Sequence, residues 1–570
     1  MRRGNARFGK RSSGYQNMLY EIILGAFSGG APGWLYDDSR MDTLYQDSAG
    51  TTPVTALEQP VGLQLDLSQG LVLGSELITP AANRDFSSNT GYWSLNTNVT
   101  IANNALTFIA SGNTFGASHN SICTPGSVYQ ITYTIGTLSS GGFQIECGGN
   151  VTQVRSAVGT YVETILCGST GSGRIYPWSV GASTTGTITS ISVKKLAGNH
   201  RYQPTSANRP TWSARYNLLT KTEQFDNAAW SKSGTAGGSA PVVTADQTIA
   251  PDGTLTADKV VFAAPTSGDR STLSQAFTST TGFSYKGGLY AMAFAAGDIG
   301  KTIIFRQAGA AGYTSITLTA AWQRVLSTET SAGGGFEIAL RPDSGSSSGT
   351  VSCYLWGADA RSADQSNTLI PTYQRVNTST DYAGPEAGFP AGLRWNGSNS
   401  WMQNASVDFS GTNKVSVFVG VRKQSDAAFA ILSELSTTVA NAGTFSLYAP
   451  NSAGTYVFAL NGTALSGQTA TTFTAPITNV LSVAYDISQS TAALETIPKV
   501  NGITPTLALF GAASAGTGNF IAAPTYFGAR AGSSAFFNGL TFSNIAIGIA
   551  LSASQIAAFE SWSNARARAY

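Results

Sequence analysis

From Gly33 onward, apolar and polar residues alternate over short stretches far more often than they recur at helical spacing. The runs "VYQITYTIG" (128–136), "GTITSISVKKL" (186–196), "KTIIFRQ" (301–307), "NKVSVFVGVRK" (413–423) and "NVLSVAYDIS" (479–488) are rich in β-branched and aromatic residues. Gly, Asn and Ser clusters separate them, which predicts strands joined by turns. Alternation puts one face of a strand in a core and the other in water, the habit of antiparallel sheets. Helical spacing is expected only near the two ends. "SGYQNMLYEIILGAF" predicts a short helix from Ser13, with Met18, Leu19, Ile22, Ile23 and Phe27 on one broad apolar face. At the other end Ser552 is placed to cap "ASQIAAFESWSNARARAY", where Ile556, Phe559, Glu560 and Trp562 follow. Arg566 and Arg568 lie near its end, where they suit the helix dipole. The predicted fold class is all-β: multidomain antiparallel β-sandwiches with a short N-terminal arm and a C-terminal helix.

Composition sharpens that picture. A chain of 570 residues holds roughly three to four domains. Charged residues make up 11%, against ~25% in average soluble proteins. Low charge with 63 glycines fits β-rich extracellular or virion proteins, whose many turns need Gly and Asn. A net charge of +2 offers no global field for nucleic acid, so no nucleic-acid partner is expected. No run of ~20 apolar residues suggests a membrane span. Arg2, Arg3, Arg7, Lys10 and Arg11 precede "MLYEIILGAF", which Glu21 interrupts, so the start does not read as a secretory signal. A basic arm ahead of an apolar patch suits docking to other virion proteins, with Arg2, Arg3, Arg7, Lys10, Arg11, Ile22, Ile23 and Phe27 as the contacts. Cys123, Cys147, Cys167 and Cys353 show no CxxC spacing, and only two histidines accompany them. Buried free thiols are therefore expected, with no metal site and no cofactor. A Cys147–Cys167 bridge stays open as an alternative.

Two segments vary one plan. "ELITPAANRDFSSNTGYWSLN" opens the first, and "GTITSISVKKL" closes it; "NLLTKTEQFDNAAWSK" opens the second, and "GTVSCYLWGADARS" closes it. Each has a Leu-led opening, then Phe86 or Phe225, then Trp93 or Trp230. The second segment resembles the carbohydrate-binding-module-like jelly rolls of phage tail and virion proteins, through "NLLTKTEQFDNAAWSK", "APDGTLTADKVV", "AAWQRV" and "CYLWGADARSADQSNTLIPTYQR". The first resembles the same class through its opening and closing strands. The last segment, "GLRWNGSNSWMQNASVDFSGTNKVSVFVGVRK" through "IALSASQIAAF", resembles concanavalin-like (laminin-G-like) lectin sandwiches. In it, "WNGSNSWM" reads as a strand, an Asn-Gly turn and a second strand bearing Trp401. Such domains commonly open far upstream, and the matching elements stand here at 33–66 and 200–212. The acidic pair often seen in that family's turn is replaced by "SNSW", so no ligand residues are carried over.

The resemblance implies two jelly rolls inserted into one lectin-like sandwich. The expected division is 1–32 docking arm; 33–70, 199–215 and 377–570 lectin-like domain; 71–198 first jelly roll; 216–376 second jelly roll. It would place Tyr202 and Trp212, in the short basic segment "NHRYQPTSANRPTWSAR", inside the lectin-like sandwich.

Candidate chemistry is sparse. His119 and His200 sit in loop-like contexts, without a GxSxG elbow or an HExxH motif. Glu146, Glu163, Glu337 and Glu434 lie in or beside strand-like runs, but no alternating carboxylate pair marks a glycosidase strand. The chain is therefore expected to be no enzyme. Sugar recognition needs flat aromatic faces, for which Tyr92, Trp93, Tyr176, Trp178 and Trp401 are the candidates. The expected function is a phage virion structural protein, a tail fibre or head fibre, that adheres to host cell-surface glycans. A homotrimer is favoured, for multivalency. A polysaccharide-degrading tailspike, or a capsid decoration or collar protein without sugar binding, are the alternatives.

Overall fold

A computed structural model of the chain describes residues 5–88, 91–363, 373–382, 389–452 and 454–570, with side chains from residue 15 onward. The chain is all-β, as its alternation requires, and its sheets are antiparallel. Among the described residues, helices longer than one turn are Asn5–Phe27 and Ala553–Ala567. One compact unit comprises Met1–Ser213, Gly392–Ala475 and Asn479–Ala567; a second comprises Ala214–Ala391 with Pro476–Thr478 and Arg568–Tyr570.

Two sheets of the first unit draw their strands from segments far apart in sequence. One sheet runs Thr211–Ser213, Gly392–Asn396, Asn538–Ile547, Lys414–Lys423, Ile477–Asp486, Thr496–Val500. Gly33–Asp37 also pairs with Asn538–Ile547, setting Trp34 opposite Ala546. The other sheet places Leu63–Gln64, Arg201–Tyr202, Met402–Asn404 and Thr525–Phe527 side by side. Between them Trp34, Tyr36, Phe409, Phe445, Tyr485 and Phe527 form a network of stacked and edge-on rings. Burial of such rings is the main favourable term in the core.

The segment 199–215 is thus anchored at both ends. Arg201–Tyr202 pairs with Leu63–Gln64 and with Met402–Asn404, and Thr211–Ser213 pairs with Gly392–Asn396. Trp212 is buried and donates from Nε1 to the Asp38 carbonyl at 3.0 Å. Tyr202 is half-buried, and its hydroxyl accepts from Gln403 at 3.2 Å.

A third sheet of the first unit is dominated by two long strands, Val128–Cys147 and Ile175–Leu196. Its core contains Phe86, Trp93, Phe108, Tyr133, Phe143 and Ile175. In the second unit two five-stranded sheets enclose Phe225, Trp230, Phe262, Phe305, Phe336 and Leu355.

Three expectations need correction. The first helix begins at Asn5, not Ser13, and ends at Phe27. Its Leu19, Ile23 and Phe27 are buried with Phe559 and Trp562 of the C-terminal helix, whereas Met18 and Ile22 are exposed. Ile23 and Phe27 are therefore core residues, unavailable for docking. Arg2 and Arg3 lie outside the described residues, as do the side chains of Arg7, Lys10 and Arg11. Finally, "WNGSNSWM" is no hairpin: Gly392–Asn396 and Met402–Asn404 belong to different sheets, and Trp401 sits on the crossing between them.

Candidate functional site

The five aromatic candidates do not form one surface. Trp93 is buried in the core, with Nε1 donating to the Asn83 carbonyl at 2.9 Å, so its ring cannot receive a sugar. Tyr92 stacks on the His119 imidazole at 4.0 Å and 11°, which occupies one of its faces. Tyr176 is buried too, and its hydroxyl contacts Asn96 Oδ1 at 2.6 Å and the Thr114 carbonyl at 2.5 Å. The Arg174 guanidinium lies 4.8 Å above its ring. Trp178 and Trp401 remain half-exposed.

Ser400, which precedes Trp401 in the chain, helps line a polar hollow of about 410 Å³. The crossing turn that builds it is organised by Asn396, whose Oδ1 accepts from the backbone nitrogens of Ser398, Asn399 and Ser400 at 3.0–3.1 Å. Gly397 takes φ +72°, a left-handed conformation that favours glycine, and a Cβ there would meet Asn538 Cβ at 2.8 Å. The neighbouring backbone is tied down through Trp401 N to the Asn208 carbonyl (3.0 Å) and Gln203 Nε2 to the Trp401 carbonyl (2.8 Å). Arg394, Arg209, Glu58, Asn396 and Asn538 line the hollow, with Thr211 and Ser400 between them and Trp395 at its base. Arg209 points its guanidinium at the Gln46 carbonyl (2.9 Å), and burial lowers its pKa. Arg394 is exposed, on a strand held between Thr211–Ser213 and Asn538–Ile547. Two guanidiniums, one carboxylate, two carboxamides and two hydroxyls line the hollow, a polar set that can pair with ring hydroxyls and a carboxylate; charge-assisted bonds are the stronger ones.

A second concave face lies in the second unit, where Arg306, Glu337, Phe336 and Gly333–Gly335 line a hollow of about 320 Å³. Beside it Tyr313 lies beneath the guanidiniums of Arg306 (4.7 Å) and Arg341 (5.5 Å) and donates to Glu337 at 3.0 Å. Burial, then the Glu337 charge, raises the Tyr313 pKa. Sequence reading missed both hollows, because their residues are scattered over the chain and only strand pairing collects them. The Asn-rich turn at 396–399 was the one local signal.

The four strand carboxylates each meet a different arginine: Glu146 with Arg174, Glu163 with Arg155, Glu337 with Arg306 and Glu434 with Arg530. Burial raises the Glu163 pKa against the opposing pull of Arg155. All four cysteines are buried free thiols, and the Cys147–Cys167 bridge is not formed. Against the expectation of no metal-ligating group, the Cys123, Cys147 and Cys167 sulfurs lie within 4.8 Å of one another. Among the described residues, no helix is long and apolar enough to cross a membrane.

No family model matches the chain, and no curated protein matches it. Solved structures similar to it include the tandem CBM22 domains of Paenibacillus barcinonensis Xyn10C, at 10% identity and a TM-score of 0.20, covering 51% of this chain and 98% of that one. The enzymatically active domain of bacteriophage CBA120 tailspike protein 4 shows 14% identity and a TM-score of 0.20, covering 26% and 22%. Trypanosoma rangeli sialidase shows 8% identity and a TM-score of 0.23, covering 82% and 86%. With a sialidase and an enzymatically active tailspike domain among its neighbours, the expectation that the chain is no enzyme is withdrawn. At these scores the likenesses transfer no activity to it.

Proposed function

We propose that this chain is a surface protein of a phage virion, a tail fibre or head fibre, whose β-sandwiches hold host cell-surface glycans. The observation that carries the reading is the polar hollow lined by Arg209, Arg394, Asn396, Asn538 and Glu58. Its composition suits an acidic polysaccharide, whose carboxylate meets the exposed Arg394 while its hydroxyls meet Glu58, Asn396 and Asn538. Attachment to the particle runs through the N-terminal helix. There Tyr15, Met18 and Ile22, spaced as one helical stripe, remain exposed. A homotrimer would repeat each weak site and raise avidity without new contacts.

The test is an array of bacterial surface polysaccharides, scored for retention and for released product. Acidic glycans are expected to be retained. Arg394→Ala, on an exposed position, should weaken retention about tenfold or more, since hydrogen bonds to charged groups contribute ~1.5–3 kcal/mol. Silence on every glycan, in the native oligomer, overturns the reading. Released product would add cleavage to adhesion.

A further inference from the structure

Three of the four cysteines arrive at one point from separate turns. Cys123 precedes the strand Val128–Cys147, Cys147 ends it, and Cys167 follows the strand Gly159–Leu166. All three side chains are buried and none is oxidised. Their mutual separation, within 4.8 Å, admits the spacing of roughly 3.8–4 Å that metal–sulfur bonds of ~2.3 Å impose between ligands.

The backbone is built to bring them together. Cys123 N donates to the Gly173 carbonyl (3.0 Å), Cys167 N to Ser127 (2.8 Å), Gly126 N to Cys167 (2.8 Å) and Gly168 N to Cys147 (3.2 Å). A Cβ on Gly173 would lie 1.7 Å from the Cys123 carbonyl oxygen, and one on Gly148 would lie 2.1 Å from that of Gly168. Only glycine lets the three turns close this far. A small apolar core position needs none of this. The side chains gathered there offer sulfur alone as donor atoms. Soft thiolate sets select zinc(II) or copper(I) over hard cations.

We propose that Cys123, Cys147 and Cys167 form a buried three-thiolate site for a thiophilic d10 cation, zinc(II) or copper(I). Three metal–sulfur bonds form, the three thiol protons leave to solvent, and no electrons change hands. The bound cation ties together three turns at one end of the sandwich.

The full chain, purified with a thiol reductant and stripped by a chelator, is titrated with cobalt(II) and then zinc(II). Separately, it is titrated anaerobically with copper(I) against a colorimetric copper(I) chelator. One cation per chain is expected, with a thiolate-to-cobalt charge-transfer band that zinc(II) abolishes, or with copper(I) captured from the chelator; the responding arm names the cation. Binding should raise Tm, because the ligand favours the folded state. Cys123→Ser, Cys147→Ser and Cys167→Ser should each lose more affinity than the roughly 10–100-fold that loss of an outer-shell partner costs. Cys353→Ser, in the other unit, should bind as the parent does. Circular dichroism separates lost ligation from lost folding, and the titration of the unsubstituted chain stands whatever the variants do. Neither a charge-transfer band nor copper(I) capture by that chain overturns the proposal. So does a disulfide among these three residues in protein isolated from a reducing cytoplasm.

Discussion

Arg201 and Asp38 carry opposite charges where almost no water reaches, with side chains 1% and 0% exposed and 2.6 Å apart. Gln64 Oε1 takes the Arg201 Nε hydrogen at 2.8 Å, and the Thr541 hydroxyl donates to the far oxygen of Asp38. The Tyr36 and Phe527 rings flank the guanidinium at 4.5 and 5.2 Å. Removing one partner of such a pair leaves an uncompensated buried charge. Asp38→Ala should therefore destabilise the first unit by about 3–5 kcal/mol in urea unfolding, and Asp38→Ala with Arg201→Leu by less. His200 is buried alongside. Its Nδ1 accepts from the Asp66 nitrogen at 2.9 Å and its Nε2 faces the Leu196 carbonyl at 3.2 Å, so the ring is held neutral. Burial lowers its pKa from 6.5 to about 4. Between those values the unfolded chain binds a proton that the folded chain refuses, so stability is lost as pH falls through that window. The full gap corresponds to about 3 kcal/mol. Burial raises the carboxyls of Asp38 and Asp66, which acts in the opposite direction on acidification. The test is accordingly differential: His200→Gln should unfold with a shallower loss of stability between pH 6.5 and 4 than the parent. An equal slope would reject the assignment.

At the scale of the element, the C-terminal helix shows what local sequence can and cannot reveal. Its start was legible because the signal is local. Ser552 Oγ accepts from Gln555 N at 3.3 Å, and Gln555 Oε1 accepts from Ser552 N at 2.9 Å, a reciprocal capping box. Ser552→Ala should cost about 0.5–2 kcal/mol in thermal or urea unfolding. The role of Arg566 was not legible. It was read as a cation suited to the helix end, yet it stacks 3.4 Å from the Trp562 ring and pairs with Asp37 at 2.7 Å. Nothing in the sequence links positions so far apart. Trp562→Ala, which empties a fully buried site between the two helices and the sheet, should cost about 3–5 kcal/mol. The strands were legible for the same reason as the cap, since alternation is a property of neighbours. "NKVSVFVGVRK" became Lys414–Lys423, and "VYQITYTIG" became the first half of Val128–Cys147. Which sheet a strand joins is not a local property, and the segment 392–404 was misread as a hairpin on that account. The polar hollow was missed likewise, because Glu58, Arg209, Arg394 and Asn538 meet only through pairing.

For the whole molecule, the informative pair is Ser213 and Gly392, cross-strand partners in adjacent strands. The chain leaves the first unit at one and re-enters it at the other. Replacing 214–391 by an Asn-Gly turn, the dipeptide suited to a two-residue hairpin loop, should leave the remainder folding cooperatively. The excised stretch brings its own ends together: Tyr216 and Phe389 pack at 5.9 Å, and Gln374 Oε1 accepts from Tyr216 N at 2.8 Å. Expressed alone, 214–391 should give a single sharp calorimetric transition. Failure of both pieces would mean that the two units do not fold independently.

The pairing of Gly33–Asp37 with Ser543–Ile547 also sets a clock. Trp34 Nε1 meets its partner Asn544, 510 residues later in the chain, only once synthesis has passed that residue. At ~5–20 residues per second that is a wait of roughly half a minute to two minutes. Throughout it, the sandwich with the long strands and the second unit can complete themselves behind the ribosome. Meanwhile the apolar strand "GWLYD" stays without its sheet. A message broken shortly before codon 543 would yield a product with most of its modules formed and its first strand unpaired, open to neighbouring nascent chains. Completion of the first sheet therefore waits on codons 543–547, long after its first strand has been made.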